Sequence, residues 1–228
     1  MRNFALIGHP IAHSLSPQIF KIIFDEYQIN ASYSLINITS TSDLLNFVQN
    51  EIDSLSGFNI TLPYKKIICS YLNDLDDISS LIKSVNCVKV IGSKLIGYNT
   101  DHFGFEELLD NHNINYIGKN ILILGNGGAA RTIAYTMLSK YQNNIFIWGR
   151  NSNKTDSLIK SISPNRLSKY AEPLNKQWII INCLSVDIDK NNINDIIDSI
   201  PLEHSDIFID INYIRTPLSN EIKKNKCK

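Results

Sequence analysis

Lys65 and Asp101 are the residues of this chain best suited to move a proton. An ammonium held by a carboxylate can stabilise negative charge growing on a carbonyl oxygen and then supply the proton that oxygen needs. Both stand in short segments where an apolar run gives way to polar residues. These segments are His13-Ser14-Leu15-Ser16-Pro17, Asn59-Ile60-Thr61-Leu62-Pro63-Tyr64-Lys65, Val85-Asn86-Cys87 and Tyr98-Asn99-Thr100-Asp101. Ser14 and Ser16 have strand-like spacing, which turns both hydroxyls to one side. They also open a helix, whose free amides and dipole favour an anion such as a carboxylate. Asn59 and Thr61 share that spacing and suit hydrogen bonds to vicinal hydroxyls. Each residue has a structural alternative: Ser16 and Asp101 as helix caps, Lys65 as a solvated helix residue. Only their joint occurrence favours a ligand site.

A second constellation suits a dinucleotide. Asn120 to Leu124 is an apolar run that leads directly into Gly125-Asn126-Gly127-Gly128-Ala129-Ala130-Arg131. This fits G-x-G-x-x-G/A, with strand before and helix after. Gly125 permits the tight turn, Gly127 lets backbone approach a pyrophosphate, and the helix start supplies amides. The alternative is an ordinary Gly-rich turn. The next strand ends in Gly149-Arg150-Asn151, with no acidic residue to hold a ribose 2′-hydroxyl as in an NAD site. A guanidinium at Arg150 suits the 2′-phosphate of NADP, and Lys154 one turn later adds charge. The alternative is a plain surface Arg.

The elements that must position these residues alternate along the chain. Strands are expected at Phe4–Ile7, Tyr33–Ile38, Gly57–Ile60, Asn120–Leu124, Asn144–Trp148, Trp178–Asn182 and Ile207–Ile211. Asn86–Val90 and Lys94–Tyr98 read as a hairpin around Gly92-Ser93. Helices are expected at Pro17–Tyr27, with Ser16 as N-cap and Ile19, Phe20, Ile23, Phe24 and Tyr27 on one face, and at Ser42–Ile52. Further helices are expected after Pro63, from Asp101 to His112, at Gly128–Ser139 and at Ser152–Ile162. Such alternation defines an α/β protein with parallel sheets. The seam falls near Asp101 to Gly118, which predicts domains at residues 1–101 and 102–228.

Composition bounds the rest. The 228 residues carry 22 Lys+Arg and 22 Asp+Glu, a formal net charge of zero, so no global field draws the chain to nucleic acid or membrane. Cys69, Cys87, Cys183 and Cys227 are scattered without metal or redox spacing and read as reduced thiols of a cytoplasmic protein. The N-terminal apolar run is too short for a signal peptide, and no stretch has the length of a membrane span. The Lys223–Lys228 tail reads as a solvated end.

Gly8-His9-Pro10-Ile11-Ala12-His13-Ser14-Leu15-Ser16-Pro17 resembles the N-terminal signature of the shikimate dehydrogenase family. Asn59 to Lys65 resembles its N-x-T-x-P-x-K segment. Val85-Asn86-Cys87, Gly97 to Asp101, Gly125 to Ala130, Asn182 to Ser185, and Asp210-Ile211-Asn212-Tyr213 with Thr216-Pro217-Leu218 follow in family order. The resemblance implies a substrate-binding α/β domain with a mixed sheet, followed by a Rossmann-like NADP-binding domain. It implies NADP-dependent reduction of 3-dehydroshikimate to shikimate in chorismate and aromatic amino-acid biosynthesis. Lys65 and Asp101 would be catalytic, and Ser14, Ser16, Asn59, Thr61, Lys65, Asn86, Asp101 and Tyr213 would bind substrate. Gly125, Asn126, Gly127, Gly128, Ala129 and Ala130 would hold the diphosphate, with Arg150 at the 2′-phosphate, beside which Lys154 is expected to add charge. No metal is expected, the partner is a small molecule, and the assembly is a monomer or homodimer.

Three departures from the family pattern stand out. Gly149-Arg150-Asn151 replaces the usual Asn-Arg-Thr. Phe20-Lys21 replaces a common His-Asn, at a position read as packing. The chain also stops soon after Thr216-Pro217-Leu218, where the family continues with helices that return to the substrate domain; this predicts a folded but poorer enzyme. Two alternatives remain: a quinate/shikimate dehydrogenase using NAD, which Arg150 disfavours, and a truncated paralogue that binds ligand with little turnover.

Overall fold

The computed structural model describes residues 1–141, 144–171, 177–184, 191–202 and 205–224. Ser185 and Cys227 lie outside the described residues, as does the end of the basic tail. The chain forms two compact units, Met1–Asp101 and His102–Lys228.

The first unit is built on a six-stranded mixed sheet, in the order β2-β1-β3-β5-β6-β4. Its strands are β1 (Arg2–Gly8), β2 (Ala31–Asn37), β3 (Gly57–Ile60), β4 (Asp74–Leu75), β5 (Cys87–Ile91) and β6 (Lys94–Tyr98). β1 runs parallel to β2 and β3, whereas β5 is antiparallel to both β3 and β6. β5 and β6 are the expected hairpin. The helices are α1 (Ser16–Glu26), α2 (Thr41–Asn50) and the short α3 (Asp77–Ile82). α2 begins where the Ser40 hydroxyl accepts the Asp43 amide N–H, and it buries Leu44, Phe47 and Val48. Phe47 meets Phe58 of β3 edge-on at 5.4 Å, within a core that includes Ala5, Ile7, Ile60, Tyr64, Ile68 and Val88. Complete burial of a side chain such as Leu44 stabilises the fold by about 1.5–3 kcal/mol.

Three local expectations change here. Leu15, not Ser16, precedes the first turn of α1, and no side chain caps that helix; Ser16 is already helical. α1 fully buries no residue, and Ile19, Ile23 and Tyr27 are exposed. Only Phe20 and Phe24 pack inward, Phe24 on Phe4 and Phe20 on Tyr33. The segment after Pro63 is a turn followed by a single tight helical stretch, Ile67–Tyr71, not a regular helix. Tertiary contacts override helix propensity there: Tyr64 is pulled into the core with its hydroxyl on the Ile38 carbonyl, and the Lys65 carbonyl is taken by the Val85 N–H.

α4 (Asp101–Asn111) runs from the last residue of the first unit into the second. The second unit's parallel strands are β7 (Asn120–Leu124), β8 (Ile145–Trp148), β9 (Leu167–Lys169), β10 (Trp178–Asn182) and β11 (Ser205–Asp210), in the order β11-β10-β7-β8-β9. The intervening helices are α5 (Gly128–Lys140), α6 (Ser152–Ile162), α7 (Asn191–Ser199) and α8 (Pro217–Lys224). β7 and β10 are buried at every residue. Ile121 and Ile123 enter one core with Ile133, Met137 and Leu158, while Leu122 and Leu124 enter another with Trp178, Ile196, Leu218 and Ile222. That split is the period-two alternation of a strand covered on both faces. From β7 the chain builds outward through β8 and β9, then returns to build β10 and β11 on the other side. The carboxyl ends of β7 and β10 therefore flank a topological switch point, the usual location of a ligand crevice in an open α/β sheet.

β4, α3, β9, α7 and α8 escape the sequence reading, being short or polar. Among the described residues, no helix is long and apolar enough to cross a membrane, no metal-binding cluster of His, Cys, Asp and Glu occurs, and no disulfide joins Cys69, Cys87 and Cys183.

Candidate active site

In the first unit, Lys65 Nζ lies 2.6 Å from Asp101 Oδ2, with the lysine side chain 16% exposed. The other carboxylate oxygen, Oδ1, accepts a hydrogen bond from Asn86 Nδ2 at 2.8 Å. Asn86 is fixed in turn, because its Oδ1 accepts the Thr100 amide N–H at 2.7 Å. β5 and β6 are the reason these groups meet. Asn86 just precedes β5 and donates its N–H to Tyr98 at the end of β6, and Thr100 and Asp101 follow directly. Lys65 is anchored by its own carbonyl to the Val85 N–H at 2.8 Å, one residue before Asn86.

Ser14 and Ser16 are brought together by a turn rather than a strand. The Ser14 hydroxyl accepts the Ser16 N–H and donates to Ser16 Oγ, both at 3.2 Å. Asn59 ends in a carboxamide held at both ends: Oδ1 accepts from the Tyr33 hydroxyl at 2.7 Å, and Nδ2 donates to the Asn86 carbonyl at 3.1 Å. Thr61 leaves β3 with its N–H on the Ile7 carbonyl at 2.9 Å. Gly8 makes this approach possible, since a Cβ there would collide with the Thr61 methyl group and come within 2.8 Å of the Leu62 carbonyl. Cys87 lies close enough that burial, and then the Asp101 charge, raise its thiol above the ordinary range. Sequence reasoning missed Tyr33. Its only sequence signal is an aromatic on the strand beside the Ser and Asn segments.

In the second unit, the Gly-rich loop leaves β7 with Gly125 at φ +122°, a conformation L side chains rarely adopt, and its N–H on the Trp148 carbonyl at 2.7 Å. Gly127 precedes α5, and no side chain caps that helix. The first amides of α5, at Gly128, Ala129 and Ala130, therefore have no intrahelical acceptor, and a Cβ at Gly127 would meet nothing within 4 Å. Free amides beside open backbone fit a pyrophosphate.

Asn126 ties this loop to the next one. Its Nδ2 donates to the Asn151 carbonyl and to Thr155 Oγ1, both at 3.1 Å. Asn151 caps α6 by accepting the Lys154 N–H at 3.0 Å. The absence of a side chain at Gly149 belongs to the same clasp, because a Cβ there would lie 2.5 Å from Asn126 Nδ2. Gly149-Arg150-Asn151 is thus a self-consistent turn, with Arg150 and Lys154 exposed beside it.

The Asp210 to Thr216 segment is also locked. Asp210 Oδ1 accepts from Asn182 Nδ2 and from the Asn212 amide, and Oδ2 accepts from the Thr216 hydroxyl at 3.0 Å. Tyr213 projects from the loop between β11 and α8 and is 64% exposed. It belongs to the second unit, whereas the other expected substrate residues belong to the first.

A mixed-sheet unit carrying a Lys–Asp pair, followed by a Rossmann-like unit with a Gly-rich loop at its switch point, defines a class of two-unit α/β proteins. Residues 6–88 match the model of the shikimate dehydrogenase substrate binding domain, and residues 107–217 match that of shikimate / quinate 5-dehydrogenase. A shikimate dehydrogenase (NADP(+)) of Methanocaldococcus jannaschii is 32% identical over 237 residues, covering 98% of this chain and 83% of the relative. One from Methanococcus maripaludis is 38% identical over 184 residues, and this alignment spans 80% of the chain but only 64% of the relative's length. Among solved structures, a shikimate dehydrogenase in complex with NADP+ superposes with a TM-score of 0.82 at 29% identity, over all of this chain and 83% of that one. A Thermus thermophilus shikimate 5-dehydrogenase in complex with shikimate gives 0.80 at 27% identity, over all of this chain and 85% of that one. The chain belongs to the shikimate dehydrogenase family.

Proposed function

We propose that this protein is an NADP-dependent shikimate dehydrogenase, which reduces 3-dehydroshikimate to shikimate in aromatic amino-acid biosynthesis. The observation that carries this reading is the Lys65–Asp101 contact at 2.6 Å, braced through Asn86. In the proposed roles, residues 1–101 bind substrate and residues 102–228 bind NADP. NADPH supplies the hydride when bound; the chain's own residues do the rest. One N–H of Lys65 is committed to Asp101, which leaves others to point at the ketone oxygen. As that oxygen gains charge, the ammonium stabilises it and passes it a proton from Nζ. Asp101 keeps Lys65 in position, and Asn86 keeps Asp101 in position. Ser14 and Ser16 bind the carboxylate, and Asn59 and Thr61 bind ring hydroxyls. The free amides at the start of α5 would hold the diphosphate, with Arg150 and Lys154 at the 2′-phosphate.

The reading implies a small-molecule enzyme of the cytoplasm, monomeric or homodimeric. The direct test follows NADPH absorbance with 3-dehydroshikimate, with NADH as control. Turnover with NADPH supports the proposal, and its absence at high protein concentration overturns it.

A further inference from the structure

The reading of Asn59 as a substrate ligand leaves open what aims it. A carboxamide presents a donor at one end and an acceptor at the other, and a rotation of 180° exchanges them. Here the two ends are told apart. The Asn86 carbonyl can only accept, so it selects the NH₂ end at 3.1 Å. The Tyr33 hydroxyl donates to Oδ1 at 2.7 Å. One N–H of the carboxamide is then left to meet a ligand oxygen.

Tyr33 is well placed to hold the carboxamide in this orientation. It lies on β2, two strands from Asn59 on β3, with β1 between them. Its ring is held by Phe20, which stacks on it at 4.2 Å and 8° between planes. Burial raises the phenol above its ordinary range, which favours the protonated form that donates to Asn59. Tyr33 therefore ties a support on α1, Phe20, to a group on β3 proposed to bind the ligand, Asn59.

We propose that Tyr33 is a positioning residue for substrate, which orients the Asn59 carboxamide so that it offers an N–H, not an oxygen, to a ring hydroxyl. This rests on the proposed function. It also gives the Phe20 position a role, as the support that keeps the phenol in line.

The test is a double-mutant cycle of Tyr33→Phe and Asn59→Ala. Tyr33→Phe keeps the ring and its stacking and removes only the hydroxyl. Losing the orientation of one neutral hydrogen bond is expected to raise KM for 3-dehydroshikimate roughly two- to tenfold, with KM for NADPH unchanged. In the Asn59→Ala background the same change should add less than about twofold, because Tyr33 acts through Asn59. Full additivity, or an unchanged KM in Tyr33→Phe, overturns the proposal. A second measurement needs no substrate: the side-chain amide protons of Asn59, followed by NMR in the whole chain. They should shift clearly in Tyr33→Phe, and an unaltered signal overturns the proposal. If the wild-type chain neither binds nor turns over 3-dehydroshikimate, the functional reading fails, and the amide signal alone judges the positioning role.

Discussion

Asp101 is contacted through both carboxylate oxygens, by Lys65 on one and Asn86 on the other, so the lysine has little freedom to leave its line of action. Replacing Lys65 by Ala should lower kcat for 3-dehydroshikimate by about 10²–10⁴-fold, the usual contribution of a positioned acid. NADPH affinity, measured by fluorescence titration, should not move, because the Gly-rich loop belongs to the other unit. Loss of cofactor binding with normal kcat would reverse these roles. At the other site, Arg150 stands exposed after β8. A charge-assisted hydrogen bond to phosphate contributes about 1.5–3 kcal/mol. Arg150→Ala should therefore weaken NADPH binding by on the order of 10–150-fold and leave NADH nearly unchanged. Equal losses for both cofactors would rule out a 2′-phosphate contact.

At the scale of the element, α1 and α2 show how similar patterns end differently. Both present apolar residues at helical spacing, but only α2 lies over the core, with Leu44 and Phe47 fully buried. Hydrogen bonds from Ser40 and then Thr39 hold the Asp43 carboxyl below the ordinary carboxylate range. A group whose folded value is depressed adds stability above its unfolded value, about 3.9, and loses it as pH falls through the folded value. An Asp43→Ala chain should therefore lose less stability than wild type as pH falls below the unfolded carboxylate value, as read by urea denaturation. A parallel decline in the two chains would contradict a depressed Asp43 carboxyl. The loop after β7 gives a second test. Gly125 sits at φ +122°, with Cys183 O only 3.1 Å from where a Cβ would lie. Gly125→Ala should cost about 1–3 kcal/mol of stability and weaken NADPH binding, since the strain falls on the turn that presents the amides.

Across the whole molecule, each unit has its own sheet and packs its own apolar residues on it, in two cores in the second unit. A ligand stabilises what it binds by mass action, about 2.7 kcal/mol at a hundred times its Kd. NADPH should slow amide hydrogen exchange in β7, α5 and β8, and shikimate should slow it around β3, β5 and the Lys65 turn. Exchange that slows uniformly with either ligand would contradict the proposed division of labour.

The sequence alone determined most strands and the long helices, because their signals are local. β3, β7, α6 and β10 begin and end where their apolar runs, glycines and caps predict. It also pointed to Lys65 and Asp101 as partners, through residue types that suit one reaction. Tertiary structure decided what depends on contacts distant in sequence. Tyr64 left its expected helix because a core position across the sheet accommodated its ring and the Ile38 carbonyl bound its hydroxyl. Ser14 and Ser16 came together through a turn that their strand-like spacing did not foretell. Gly149 and Asn151 read as departures until Asn126, some 25 residues earlier, was seen to hold the Asn151 carbonyl. Tyr33 had no motif at all, and it gained a place beside Asn59 only when β1 brought β2 and β3 together. Local propensity and residue chemistry are written along the chain, but the hydrogen-bond partner of a side chain is fixed by which strands become neighbours.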